Sequence, residues 1–347
     1  MLKGYKYRSG IGILDKNGNS IFERDVNTIV NNQIYLPTKD ELNDPTEGLY
    51  NDTLIENFFN LYEDYSSEVR KQYYSLLDKL KNVGVYSLSK NNDNELLWAY
   101  YASGHSGFAI EYDIDILKHS FNHNAYFQLV YDFEVDYVKC IPETDISYLH
   151  IPTVISFLKT YLGTKSLSWK HEKEYRLIFE KKGLFDIDYR AVTGIYFGYR
   201  MNDSEVDLIM NKLKGRGLNY YRMELVKNSY EFKPNKIEDK YADSPKYIAN
   251  DVDYDIDRLL LPKNILGEEA YSYKCKLIDA LEIVKQDPLI KEIYIATINM
   301  DLGEPLFIIW AYTKSGIPPC KQFRFKLNPS GEICQISKVW VLNENKS

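Results

Sequence analysis

Two short segments of the sequence place hydroxyl, carboxylate and cationic side chains at alternating positions. Ser87 and Ser89 alternate in the run VYSLS, and Glu172, Glu174 and Arg176 alternate in the run HEKEYR. Because successive side chains of a β-strand point to opposite faces, each set would share one face. Charged side chains are mostly exposed, so two carboxylates on one face predict either a catalytic pair or a solvated strand edge.

A second group of polar and aromatic residues follows the two serines. Asn94, Trp98 and Tyr101 lie at i, i+4 and i+7, the spacing of one helix face, and His105 follows the helix stop at Gly104. An amide, an indole and a phenol on one face could frame a flat heterocycle. Taken alone, Trp98 is explained by core packing and His105 by a hydrogen bond to a carbonyl at the helix end.

The elements that must position these residues are predicted from periodicity and turn chemistry. Strands are predicted at Tyr5–Arg8, Ile34–Leu36, Val83–Ser89, Gly107–Asp113, Gln128–Val138, Glu172–Lys181, Gly194–Gly198 and Asn219–Val226. Helical regions are predicted at Asp52–Lys81, Asn94–Ser103 and Pro152–Gly163. Strands and helices alternate without regular βαβ spacing, which predicts an α+β fold with a mixed or antiparallel sheet.

The chain is predicted to contain two domains and a connecting arm. Its 347 residues exceed the usual size of a single core, about 250 to 300 residues. Residues 228–264 are polar, acidic and contain proline, which is typical of a linker or covering arm. We therefore predict a catalytic or binding domain at 1–227 and a small α+β domain at 265–347. The small domain would have one helix, Glu268–Gln286, and four antiparallel strands, and would serve targeting, homo-oligomerisation or substrate choice.

The composition excludes several classes of function. A net charge of -7 argues against a broad nucleic-acid or anionic-membrane surface. The four cysteines form no C-x-x-C pair and the five histidines form no recognisable ligand motif, so no metal is predicted. The N-terminal segment lacks an apolar stretch and no run approaches about 18 apolar residues, which predicts a cytoplasmic protein without a membrane partner.

Four segments, in their order along the chain, resemble the bacterial family catalogued as domain of unknown function 2971. They are YKYR, IYLPTKDELNDPTEG, GVYSLSKNNDNELLWAYYASGHSGFAIEYD and SLSWKHEKEYRLIF. The resemblance spans roughly residues 5–226 and leaves the C-terminal part outside. That family carries no established reaction, so the resemblance implies a shared fold rather than an activity.

A fainter resemblance suggests a chemistry. The order of an arginine, a serine-rich strand and a Glu-x-Glu pair is similar to the R, S-T-S, E-x-E order of ADP-ribosyltransferase toxins. The corresponding residues here are Arg8, Ser87-Leu88-Ser89 and Glu172-Lys173-Glu174. Leu88 stands where the motif has threonine. The resemblance implies an NAD-dependent mono-ADP-ribosyltransferase or NAD glycohydrolase, in a bacterial toxin or anti-phage defence setting, with an unidentified macromolecular acceptor.

The resemblance also implies a role for each residue type. Glu174 would stabilise the oxocarbenium-like cation that forms when the nicotinamide–ribose bond breaks, and Glu172 would orient or deprotonate the acceptor. Arg8 would hold the phosphates of NAD bidentately. The remaining NAD-binding residues would come from the same motifs. They are Tyr7, Ser87, Ser89, Asn94, Trp98, Tyr101, His105 and Arg176.

Two other classes of function remain open at this point. The aromatic and polar residues could form a module that binds a nucleotide or a protein without turnover. Alternatively, carboxylates such as Asp44, Glu172 and Glu174 could serve a hydrolase or nuclease that binds a metal on demand. The transferase hypothesis requires Arg8, Ser87 and Glu174 to lie on adjacent strands around one cleft, whereas the hydrolase hypothesis requires carboxylates within metal-ligand reach of one another.

Overall fold

The chain folds into two compact units. The computed structural model describes residues 2–121, 129–144, 154–249, 252–301, 303–314 and 320–341. The first unit comprises Met1–Lys118, Gln128–Phe185 and Arg190–Ser244, and the second comprises His119–Phe127, Asp186–Tyr189 and Pro245–Ser347. The segment 228–264, for which the sequence predicts a linker, is therefore divided between the two units.

The first unit contains most of the strands and the longer helices. Its strands are β1 (Lys3–Arg8), β2 (Gln33–Leu36), β3 (Gly84–Ser89), β4 (Phe108–Asp113), β5 (Leu129–Glu134), β6 (Asp136–Val138), β7 (Thr164–Ser166), β8 (Glu174–Phe179), β9 (Gly183–Asp186), β10 (Val192–Phe197), β11 (Asn219–Leu225) and β12 (Phe232–Ile237). Its helices are α1 (Ile21–Val30), α2 (Thr53–Leu61), α3 (Glu63–Leu80), α4 (Glu95–Tyr101), α5 (Ile114–His119), α6 (Val154–Gly163) and α7 (Asp203–Lys212).

An eight-stranded mixed sheet forms the centre of the first unit. Its strand order is β12-β11-β10-β4-β1-β3-β8-β5. The β10–β11 pair is parallel, and the other pairs with a described register are antiparallel. Together with the helices on this sheet, the arrangement confirms the predicted α+β class. Two small two-stranded sheets, β2-β9 and β6-β7, accompany the large one.

Two apolar clusters hold helices against this sheet. In one, Ile55 of α2 and Phe157 of α6 pack with Val85 of β3 and Ile178 of β8, all fully buried. The second cluster joins helix α4 to the opposite part of the sheet through side chains that are also buried. Its members are Tyr5, Tyr7, Leu97, Trp98, Ala102, Ala109, Tyr196 and Met223. The clusters fix α6 and α4 relative to β1, β3 and β8.

Several predicted elements of the first unit differ from the observed ones. Helix α1 was not predicted, although the Ser20 hydroxyl accepts a hydrogen bond from the Glu23 amide as an N-cap. The helical region predicted at Asp52–Lys81 is two helices, α2 and α3. The strand predicted to begin at Glu172 begins two residues later, because Lys173 has a left-handed backbone with a φ of 45°.

The second unit has helices α8 (Ile256–Leu259), α9 (Lys263–Leu266), α10 (Glu268–Ser272) and α11 (Lys274–Lys285) and strands β13 (Ile290–Asp301), β14 (Glu304–Thr313), β15 (Cys320–Leu327) and β16 (Ile333–Val341). The four strands form an antiparallel sheet in sequence order, as predicted. The single predicted helix is instead α10 and α11, which meet at Tyr273. The core of the second unit is an apolar cluster that includes Leu277, Leu281 and Phe307.

A helix that spans a membrane needs about 20 predominantly apolar residues. Within the described ranges, no helix is both long and apolar enough to cross a bilayer.

Candidate functional site

A cavity in the first unit collects most of the polar side chains that the sequence singles out. It spans about 550 Å³ of space, a volume that includes solvent at its open mouth. Its lining comes from β1, β3, β7, β8, α4, the loop before α2 and the segment just before β8. The lining residues are Tyr5, Lys6, Tyr7, Leu42, Asn43, Glu47, Ser87, Leu88, Ser89, Leu97, Tyr101, Lys165, Glu172, Glu174 and Arg176.

The register of three adjacent strands brings these residues together. Ser87 of β3 pairs with Arg176 of β8, and Ser89 pairs with Glu174. On its other side, Ser89 pairs with Tyr5 of β1. Strands β1, β3 and β8 are neighbours in the sheet, so residues from three distant parts of the chain meet at one end of β3.

Arg176 is the centre of a buried ion-pair network. Its guanidinium donates to both carboxylate oxygens of Glu47, at 2.5 and 2.9 Å, and its Nε donates to Glu174 at 2.9 Å. A further hydrogen bond of 2.6 Å reaches the carbonyl of Leu162. The planar guanidinium can satisfy several acceptors at once, which explains how this cation is held with none of its surface exposed.

Lys165 joins this network to a second glutamate. Its ammonium donates to Glu172 at 2.5 Å and to Glu174 at 2.6 Å. The hydroxyl of Tyr101 donates to the other oxygen of Glu172 at 2.5 Å. Three carboxylates and two cations therefore form one connected group, which we call the charged cluster. Its members are Glu47, Lys165, Glu172, Glu174 and Arg176.

The two glutamates of the E-x-E pair have opposite pKa shifts. Burial raises the pKa of Glu172 to about 7, and the neighbouring Glu174 carboxyl adds to the shift through a hydrogen bond and its charge. Burial alone would also raise the pKa of Glu174, but Arg176, the hydrogen bond to Glu172 and Lys165 hold it well below its usual range. Near neutral pH the proton of the pair therefore resides on Glu172. When Glu172 ionises, the charged cluster changes from neutral to one net negative charge.

Lys6 lines the same cavity in a different environment. Its ammonium donates to the backbone carbonyl of Ser87 at 2.9 Å and lies 5.1 Å from the ring centroid of Tyr86. In the described part of the chain, no carboxylate oxygen lies within 4.0 Å of it. Burial, followed by the nearby charge of Arg8, lowers the pKa of Lys6 to about 7. The buried hydroxyl of Ser87 has no hydrogen-bond partner among the described residues.

Hydrogen bonds between two loops position Glu172. The hydroxyl of Ser89 donates to the carbonyl of Glu172 at 2.7 Å and accepts from the amide of Asn91 at 3.0 Å. The side-chain amide of Asn94 donates to the carbonyl of His171 at 3.1 Å, while its oxygen caps α4. Ser89 and Asn94 therefore hold the segment that carries Glu172, which explains how this residue reaches the cavity although it lies outside β8.

The part of the chain that resembles a known family overlaps this site. Residues 97–177 match the model of the family described as "Protein of unknown function (DUF2971)". The family resemblance found in the sequence is thereby confirmed for this span. It contains Tyr101, Lys165, Glu172, Glu174 and Arg176, so four members of the charged cluster lie within the DUF2971 match. No curated protein and no solved structure matches the chain.

Seven of the residues predicted from the sequence line the cavity, and four of these lie in the DUF2971 span. The seven are Tyr7, Ser87, Ser89, Tyr101, Glu172, Glu174 and Arg176. Four other predicted residues do not line it. They are Arg8, Asn94, Trp98 and His105.

The four remaining residues have structural partners elsewhere. Arg8, predicted to hold phosphates, instead lies 3.7 Å from Asp25 of α1, the helix that was not predicted. Trp98 is fully buried against Tyr7 and donates to a backbone carbonyl, while Asn94 caps α4. The ring of His105 packs on Phe232 at 4.7 Å, and burial lowers its pKa. Asp44 of the hydrolase hypothesis accepts from Thr46 in a turn and does not line the cavity.

Sequence reasoning missed three charged residues of the site. Glu47 lies in the turn-rich loop NDPTEG and Lys165 follows α6 in the short strand β7, and neither has a local signal of function. Lys6 lies between Tyr5 and Tyr7 in the motif YKYR, which was noted for its arginine.

Within the described ranges, no group of three or more His, Cys, Asp or Glu side chains has the arrangement of a metal site.

Proposed function

We propose that the cavity binds NAD and cleaves its nicotinamide–ribose bond, as a mono-ADP-ribosyltransferase or NAD glycohydrolase. One observation carries the proposal: Glu172 and Glu174 line the cavity as a carboxyl pair that holds a single proton near neutral pH. Cleavage of the bond generates an oxocarbenium-like cation, which a fixed neighbouring negative charge stabilises. Ionisation of Glu172 gives the charged cluster that charge.

The two glutamates take different parts in this proposal. Glu174 stays ionised because Arg176 and Lys165 pair with it, so it supplies a permanent negative charge. Glu172, with its pKa of about 7, acts as the general base that removes a proton from the attacking water or acceptor. Tyr101 and Lys165 orient the Glu172 carboxylate through one hydrogen bond to each oxygen.

The strand arrangement meets the requirement of the transferase hypothesis for Ser87 and Glu174, which line one cavity, but not for Arg8. The R, S-x-S and E-x-E elements lie on or directly before β1, β3 and β8, which are adjacent in the sheet. Arg8 is not used in the mechanism, because its guanidinium faces Asp25 rather than the cavity. We propose that the reaction takes place in the cytoplasm, in a bacterial toxin or defence setting, and that its acceptor is a macromolecule. We further propose that the protein forms homo-oligomers through the second unit.

A second candidate function is a binding module that holds a nucleotide without turnover. It is favoured by the saturation of Glu174, whose two oxygens both accept hydrogen bonds from cations. A carboxylate neutralised in this way stabilises a second positive charge less strongly. The same pairing leaves the metal-dependent hydrolase or nuclease hypothesis without an observation in its favour.

Nicotinamide release from NAD by the purified protein, with and without cell lysate, tests the proposal. We expect Glu172→Gln and Glu174→Gln each to lower release by roughly 100-fold or more, the usual contribution of a catalytic base or electrostatic group. The matched control is Glu205→Gln, because Glu205 is a buried carboxylate of α7 that lies outside the cavity lining and accepts a hydrogen bond from Asn202. Wild-type release should rise with pH through about 7 as Glu172 ionises.

The alternatives separate in the same experiment. If NAD raises the melting temperature but no nicotinamide is released, the binding module is the correct function. If NAD neither binds nor is consumed, with and without lysate, both NAD-based functions are wrong. Equal loss of activity in the Glu205→Gln control would show that the glutamate substitutions act through folding rather than chemistry.

A further inference from the structure

Two lysines line the cavity, and only one of them has a carboxylate partner among the residues that the structure describes. Lys165 bonds both Glu172 and Glu174. Lys6 bonds the carbonyl of Ser87, and its other N–H groups have no acceptor among the described residues. Lys6 is partly buried. A partly buried lysine without a carboxylate partner favours the neutral amine more than an exposed lysine does, and Lys6 lines the cavity.

We propose that Lys6 is a nucleophilic amine that forms an imine with the aldehyde of an open-chain sugar bound in the cavity. The assignment goes beyond NAD cleavage and does not depend on it. Lysine amines are used as nucleophiles toward carbonyl substrates where desolvation or a neighbouring cation keeps them unprotonated. Both conditions apply here, since desolvation and the charge of Arg8 lower the pKa of Lys6, and the one described hydrogen bond of its amine is to the carbonyl of Ser87.

The step is balanced without any further reactant. The nitrogen lone pair of Lys6 attacks the aldehyde carbon, and a proton moves from nitrogen to oxygen to give a carbinolamine. Glu172, which lines the same cavity and has a pKa raised to about 7, protonates the departing hydroxyl, which leaves as water. The remaining N–H proton then returns to the Glu172 carboxylate and leaves the neutral C=N bond.

The remaining lining favours a hydroxylated aldehyde. The Ser87 hydroxyl is buried without a partner among the described residues, and burial of an unpaired polar group costs free energy that a ligand hydroxyl would recover. Tyr101 and the exposed Asn43 add further polar groups to the same cavity. Leu88 and Leu97 supply apolar contact for the carbon chain. This mixture of hydroxyl, amide and apolar groups suits a short sugar better than an apolar aldehyde.

Reductive trapping tests the proposal directly. The full-length protein is incubated with D-ribose and sodium cyanoborohydride, whose hydride reduces the imine to a stable secondary amine, and modified lysines are mapped by mass spectrometry. An ordinary exposed lysine is protonated up to about pH 10, so we expect Lys6 to be labelled at least ~10-fold faster than Lys3 at pH 7. Lys3 is the matched comparison, because it lies on the same strand with 44% of its side chain exposed.

Two controls define the outcome. Ribitol, which has no carbonyl, should give no adduct, and an excess of NAD should slow labelling if both ligands occupy the cavity. Lys6→Arg should abolish the adduct at this position and leave the other lysines unchanged, while its melting curve shows that the protein is folded. The proposal is wrong if folded wild-type protein is labelled at Lys6 no faster than at Lys3 at pH 7, whatever the result for nicotinamide release.

Discussion

The two lysines of the cavity line the same pocket but have opposite pKa shifts. Burial alone would lower the pKa of both, yet Glu174 and Glu172 raise the pKa of Lys165 above its usual value. Lys6 has no carboxylate partner among the described residues, and desolvation with the charge of Arg8 lowers its pKa to about 7. The pKa of each lysine therefore depends on the charged partners that the fold places beside it as well as on burial. The β8 side of the pocket is a charged cluster, whereas the β1 side carries a lysine with a lowered pKa.

Removal of the central cation should disrupt the β8 side most strongly. In Arg176→Met, Glu47 and Glu174 both lose a buried partner while remaining out of contact with solvent. Breaking a buried ion pair by removing one partner typically costs 3–5 kcal/mol, so we expect a loss of about that size. Urea unfolding, followed by circular dichroism, measures it.

An exposed ion pair provides the control for this variant. Arg70 lies 3.4 Å from Glu56, and about a third of each side chain is exposed. Arg70→Met should cost at most about 1 kcal/mol, because exposed pairs contribute little. Similar losses for Arg176→Met and Arg70→Met would mean that the charged cluster is solvated in solution and that the contrast between the two sides of the pocket is weak.

The pH dependence of stability should report the proton on Glu172. Its pKa is raised from 4.5 to about 7 in the folded protein, so the unfolded state binds fewer protons in this window. The stabilisation that Glu172 contributes is fully present below pH 4.5 and is lost as the pH rises through about 7. We expect this contribution to be on the order of 2 kcal/mol, and Glu172→Gln should lack it.

The measurement is a series of urea unfolding curves for both proteins between pH 4 and pH 8. The low pKa of Glu174 affects stability at more acidic pH, so it does not obscure this window. If wild type and Glu172→Gln show parallel curves throughout, Glu172 is already ionised at pH 5, and the base assigned under the proposed function loses its basis.

The β1 side should respond to substitution in the opposite direction. The pKa of Lys6 falls from 10.5 to about 7 on folding, so the charged form destabilises the folded state at and below neutral pH. Lys6→Met keeps an unbranched chain of similar length and removes this charge. We expect it to raise the free energy of unfolding at pH 6 by roughly 1 kcal/mol, after allowance for partial solvent access.

The difference between Lys6→Met and wild type should shrink as the pH rises from 7 to 10.5, because the wild-type lysine is then neutral in both states. Chemical unfolding at pH 6 and pH 10 is sufficient to see it. A Lys6→Met protein that is less stable than wild type at pH 6 would show that Lys6 has an anionic partner in solution, and the contrast with Lys165 would disappear.

The sequence predicted the strands of the site better than it predicted their partners. Strands β1, β3 and β8 follow the alternation of side chains, and their predicted bounds lie within two residues of the observed ones at each end. Local alternation could not predict that Arg176 binds Glu47, which lies 129 positions earlier in the chain. Such a pair is determined by tertiary packing, and the turn that places Glu47 has no signal of charge pairing.

Local sequence patterns also could not predict the tertiary partners of single residues in the candidate site. Arg8 was selected because a strand arginine suits phosphate binding, but the cation that lines the cavity from β1 is Lys6. The helix α1, which supplies Asp25 as the partner of Arg8, was not predicted. Glu172 was placed on β8 by alternation, whereas the left-handed Lys173 ends the pattern before the strand begins. It nevertheless reaches the cavity, because Ser89 holds its backbone carbonyl.

The two serines of β3 provide the finest comparison between the sides of the pocket. Ser89 bonds the carbonyl of Glu172 and the amide of Asn91, so Ser89→Ala should cost about 1 kcal/mol or slightly more in unfolding free energy. The Ser87 hydroxyl is buried without a partner, and Ser87→Ala should change stability by less than about 0.5 kcal/mol. Urea midpoints of the two variants measure the difference under identical conditions. If Ser87→Ala costs as much as Ser89→Ala, the Ser87 hydroxyl is already hydrogen-bonded in the free protein and does not wait for a ligand hydroxyl.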